Sequence, residues 1–128
     1  MSAILRPFIL GLMALFVIGC GDNPTPPHIP VPGTLTVRLD SPAGPESAAR
    51  FRLIGGGIRG ILASEGRVFS ALRGDTADVI VVLQVPGDVR FRLTVADTAA
   101  LPSMTVVEVA GPDNALRGTG GYSLEAGG

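Results

Sequence analysis

The chain has no tryptophan, no lysine, one cysteine, one histidine and one tyrosine. Each shortage excludes something. A lone cysteine rules out an internal disulfide framework. A lone histidine leaves no histidine cluster for zinc, and the chain has no Gly-x-Ser-x-Gly elbow for a nucleophilic serine. The aromatic share is 5%, too small for the stacked platforms that line sugar clefts, so a core must be made mainly of Val, Leu and Ile. The charge balance is also slight, at −1 over the whole chain. It carries no basic footprint for nucleic acid and no polybasic segment for an anionic membrane.

The 128 residues suit one domain, but their composition changes along the chain. Residues 1–19 are almost wholly apolar apart from Arg6. Phe8 to Ile18 run without a charge. As a helix this run would be about 16 Å long, roughly half the hydrocarbon core of a bilayer. That is too short to span, and it has the length of a signal-peptide core. At its end stand Val17, Ile18, Gly19 and Cys20.

These four residues resemble the lipobox of bacterial lipoproteins: an aliphatic residue, a small or aliphatic one, Gly or Ala, then Cys. Ile18 is a less usual occupant than Ala or Ser. The resemblance implies diacylglycerol on the Cys20 thiol, cleavage between Gly19 and Cys20, and acylation of the new amine. It also implies a cell-envelope location. Gly21 rather than Asp follows the cysteine, which favours the outer membrane over the inner if the cell is Gram-negative. Two or three acyl chains suffice for stable anchoring. After cleavage nine arginines face eleven acids, a net charge of about −2.

Residues 20–33 hold the lipidated cysteine and a linker with five prolines. Proline fixes φ and lacks an amide donor, which excludes helix and central strand. The expectation is an extended spacer of up to roughly 40 Å. His28 lies in it, with nothing in the sequence to orient it. Two PxxP patterns, at Pro24–Pro27 and Pro27–Pro30, are read as spacer composition.

Residues 34–128 form the domain, where the period is 2. Leu35, Val37 and Leu39 alternate with Thr36 and Arg38. Phe51 and Leu53 alternate with Arg50 and Arg52, and Val89, Phe91, Leu93 and Val95 with Arg90, Arg92 and Thr94. Val79–Leu83 is a continuous apolar run, expected for a strand at the centre of a sandwich or buried on both faces. Met104–Val109, Tyr122–Leu124, Ile58–Ala63 and Arg67–Leu72 complete the set, with Gly-, Pro- and Asp-rich turns between them. The reading is an all-β, seven- or eight-stranded antiparallel sandwich of immunoglobulin-like type. Its order resembles cohesin-like surface sandwiches only at the level of fold class, which implies no function. The one short helical chance is Thr98–Leu101.

Few motifs carry chemistry. Gly55–Gly60 matches G-x-G-x-x-G, but too few residues follow for the helix a dinucleotide site needs, so it reads as a turn. Asp75, Asp78, Asp88, Asp97 and Asp113 lack the spacing of a calcium loop, and no metal or cofactor is expected. Arg38, Arg50, Arg52, Arg90 and Arg92 fall at outward strand positions, where they blunt exposed sheet faces; Asp40, Glu108 and Asp97 are their expected partners. As neighbours they would instead make a face for an anionic ligand. The overall expectation is a lipid-anchored, non-enzymatic interaction or structural module. Its partners would be the membrane, through Cys20, and an envelope protein or glycan. The alternative is a module that binds a carbohydrate or anionic ligand.

Overall fold

The computed structural model describes residues 26–127. They form nine strands and no helix: β1 (Gly33–Asp40), β2 (Glu46–Ile54), β3 (Ile58–Ala63), β4 (Arg67–Arg73), β5 (Thr76–Gly87), β6 (Arg90–Val95), β7 (Ser103–Ala110), β8 (Leu116–Arg117) and β9 (Ser123–Gly127). All pairings are antiparallel. One sheet has the order β3-β6-β1-β9 and the other β4-β5-β2-β7-β8. The two make a sandwich, as the period-2 pattern requires.

The core is built from the inward half of each alternation. Val37 and Leu39 of β1 and Phe91, Leu93 and Val95 of β6 meet Ala49, Phe51 and Leu53 of β2 and Ala77, Val79 and Val81 of β5. Phe51 and Phe91, one from each sheet, stack with centroids 5.6 Å apart. With no tryptophan available, this pair supplies the largest fully buried side chains.

An immunoglobulin sandwich puts strands A, B, E and D in one sheet and C, F and G in the other. Here β2, β5 and β4 stand in the places of B, E and D, and β3 and β6 in those of C and F. The outer pair is exchanged: β1 lies beside β6, and β7 beside β2. Alternation along a strand says which side chains point inward, not which sheet the strand joins, so this exchange is invisible in the pattern.

Of the two readings of Val79–Leu83 the structure takes the first: β5 lies inside the five-stranded sheet with Val79, Val81 and Leu83 in the core, while Ile80 and Val82, 39% and 40% exposed, are not covered by the opposite sheet. Two expectations change. Thr98–Leu101 is a turn rather than a helix. The Asp97 carboxylate accepts the Ala99 amide at 3.1 Å, as an N-cap does, but Pro102 disfavours the α conformation at Leu101 and ends the turn before a helix can form. The ninth strand, β8, is a two-residue pairing of Leu116 and Arg117 with Ala110 and Val109, too short to leave a period.

Strand direction sorts the loops into two ends. Residues 26–32, 55–57, 74–75 and 96–102 lie at the end where the chain enters the sandwich. Residues 41–45, 64–66, 88–89, 111–115 and 118–122 lie at the other.

Candidate functional site

The five arginines do not form one face. Arg38, Arg90 and Arg92 lie on β1 and β6, on the outer side of the four-stranded sheet, and Arg38 stands directly opposite Arg90. Arg50 and Arg52 lie on β2, on the outer side of the other sheet. The thickness of the sandwich separates the two groups. The ion partners also differ from expectation. Arg38 meets Glu125 at 3.4 Å, Arg52 meets Asp78 at 3.2 Å, and Arg90 meets Glu65 at 3.7 Å. Like charges opposite each other on a sheet are unfavourable, and the acids of β9 and the β3–β4 turn offset the Arg38–Arg90 pair. Cys20 and Gly19 lie outside the described residues.

The outer side of the five-stranded sheet is more apolar than its arginines suggest. Register places Phe69, Ile80 and Arg50 in one row, and Arg67, Val82, Ala48, Ala110 and Leu116 in the next. Phe69 is 55% and Leu116 71% exposed.

His28 is held after all. Its Nε2 lies 2.6 Å from Asp97 Oδ2. Asp97 Oδ1 also accepts the Val31 amide at 3.3 Å, and the Thr98 amide donates to the Val31 carbonyl at 2.8 Å. The last part of the linker is thus clasped to the β6–β7 loop. Sequence reading treated the linker as independent because the partner lies 69 positions away. Donation from the Ala99 amide, then from His28, holds the Asp97 carboxyl below its ordinary value; partial desolvation opposes them, and the Val31 amide adds to them.

The opposite end holds a buried acid that the pattern did not flag. Glu46, the first residue of β2, is 1% exposed. Its Oε1 accepts from Arg117 Nη1 at 2.7 Å and Tyr122 OH at 3.1 Å, and the single Ser41 Oγ proton is shared between it, at 3.0 Å, and the Gly44 carbonyl, at 2.7 Å. Tyr122, and next the Glu46 charge, raise the pKa of the Arg117 guanidinium, against the cost of desolvation. The other oxygen, Oε2, is buried without a partner among the described residues. These residues come from β2, β8 and the turns before β2 and β9, so no local spacing signals the cluster. Beside it is a hollow of about 210 Å³ whose lining includes Asp40, Ser41, Glu46 and Asp88.

Among the described residues, no group of three or more His, Cys, Asp or Glu side chains is arranged to hold a metal ion. No protein-family model, curated protein or solved structure matches the chain.

Proposed function

We propose that the chain is a lipoprotein precursor, cut before Cys20 and anchored through lipid on that residue, whose sandwich is a non-enzymatic interaction or structural module of the cell envelope. The observation that carries this reading is the lipobox-like Val17–Cys20 at the end of the uncharged run Phe8–Ile18; the clasp of the linker by Asp97 sets which end of the sandwich the anchor would meet. Anchored there, the domain would stand with the entry end toward the lipid. The turns around Ser41, Asp88, Asp113 and Thr119 would then face away from it, where a partner has access. The lipobox-like Val17–Cys20 and the proline-rich stretch after it support the anchor.

The test is Cys20→Ser in the native host, followed by fractionation and labelling with radioactive palmitate. The wild type is expected in the membrane fraction, labelled, and about 19 residues shorter than the precursor, the length before the cysteine. The variant is expected unlabelled and uncut at this place. A variant that is cut at the same position and stays membrane-bound would refute the reading.

A further inference from the structure

We propose that the open edge of β4 receives an extended segment of another polypeptide as an added strand, one that is apolar on one side and carries an acid at each end of the other. A sandwich has edges by construction, and the other edges here are blunted. β8 has two residues. β3 is broken by a register shift between Ile58 and Gly60. β9 carries Glu125 at its middle. Short strands, bulges and charges are the devices that keep edges from pairing. β4 pairs with β5 along its whole length of seven residues without a shift, and Val68–Leu72 contains no proline, glycine or charge.

Register fixes which backbone groups are open. The Gly55 amide donates to the Asp75 carbonyl at 2.8 Å. This turns the odd-numbered residues of β5 toward β2 and the even-numbered ones toward β4. Thr76, Asp78, Ile80 and Val82 stand opposite Arg73, Ala71, Phe69 and Arg67, so these four spend their backbone groups on β5. The amides and carbonyls of Val68, Ser70 and Leu72 face the free edge, a row that an added strand pairs in full. The side chains agree. Phe69 lies on the outer side and Leu72 on the side of the opposite sheet, yet they are 55% and 54% exposed. A strand laid beside β4 covers both.

Charge selects the occupant. Arg67 and Arg73 bracket the uncharged stretch, β4 has no acid, and neither arginine makes an ion pair among the described residues. A second copy paired antiparallel along the whole strand sets Arg67 against Arg73 twice, and like charges directly opposite are unfavourable. An acid at each end of the added strand meets the same two cations favourably. The arginines thus oppose self-pairing while admitting an acidic partner, which is how a surface becomes specific. The inference rests on the reading of the sandwich as an interaction module and names the kind of partner. It does not depend on Cys20.

The probe is the acetylated, amidated peptide Glu-Val-Thr-Val-Thr-Val-Glu. Laid antiparallel, it sets its valines beside Val68, Ser70 and Leu72 and its glutamates opposite Arg67 and Arg73. It is titrated into the isotopically labelled full chain in detergent, with amide hydrogen exchange as the readout. Exchange at Val68, Ser70 and Leu72 is expected to slow saturably. The same peptide with lysine at both ends is expected to bind about tenfold more weakly. In the Arg67→Glu, Arg73→Glu double variant that preference is expected to invert. Both positions are exposed, and an unchanged thermal midpoint shows the fold intact; the comparison of the two peptides on the wild type stands without the variant. Unchanged exchange at the three amides, equal binding of the two peptides, or the same preference in the folded variant overturns the proposal. Slowing that arises without peptide and grows with chain concentration also overturns it, in favour of a second copy. None of these results bears on membrane anchoring, and failure of the Cys20→Ser test leaves this edge standing.

Discussion

Glu46 is the residue on which the far end of the sandwich converges. Its carboxylate is buried, and the donors that stabilise it come from a serine in the preceding turn and from the C-terminal Arg117 and Tyr122. A hydrogen bond to a charged group contributes about 1.5–3 kcal/mol. Tyr122→Phe, which keeps the ring and removes the donor, is expected to cost about that much, read as a lower urea midpoint by circular dichroism. Arg117→Met removes the cation paired with the carboxylate and is expected to destabilise more, because an uncompensated buried charge remains.

Asp97 makes the pH-dependent contact at the other end. Its folded pKa lies below the ordinary carboxylate value of 3.8, so the folded state prefers it ionised. The stability it contributes is then complete above 3.8 and is lost as pH falls through the lower folded value. The clasp is expected to hold through the neutral range and open only in strong acid. Hydrogen exchange at the Val31 and Ala99 amides checks this. Asp97→Asn is expected to speed exchange at both amides at neutral pH.

At the scale of elements, inter-sheet packing rests on Phe51 of β2 and Phe91 of β6. Phe51→Ala is expected to cost about 3–5 kcal/mol, through lost transfer energy and the cavity left behind, measured by denaturant unfolding. The β3–β4 and β4–β5 turns offer a paired test of backbone conformation. Gly66 and Gly74 both have positive φ, 67° and 61°. At Gly74 a Cβ would meet nothing, so Gly74→Ala carries only the left-handed penalty of about 1–2 kcal/mol. At Gly66 a Cβ would collide with the Val82 carbonyl oxygen and crowd Leu83. Gly66→Ala is therefore expected to be clearly the worse of the two in thermal midpoint.

Most elements were legible, because alternation marks the inward side of β1, β2 and β6 residue by residue. The β5 run was harder. A strand of valines and isoleucines reads alike whether one side or both are covered. β8 and the Glu46 cluster were not legible, since their partners come from distant parts of the chain.

For the whole molecule, the two ends have different roles under the proposed anchoring. Under that anchoring the clasp at His28 and Val31 fixes the end of the linker to the sandwich, so the reach of the domain from the lipid is shorter than the whole proline-rich stretch would give. Removing the clasp with Asp97→Asn is expected to lengthen that reach. Faster cross-linking of the 118–122 turn to more distant envelope sites would register the change.

By itself the sequence determined the class of fold, the inward face of most strands, the turns between them, and the single cysteine at the end of an apolar run. These are local properties, set by side-chain period and by proline and glycine backbone preferences. The tertiary structure alone decided that β1 and β7 exchange places, that the five arginines divide between opposite sides, that the linker is held by Asp97, and that Glu46 is buried with one oxygen unpartnered. Each of these depends on which strand lies beside which, and pairing between segments many residues apart leaves no trace in the period of either one.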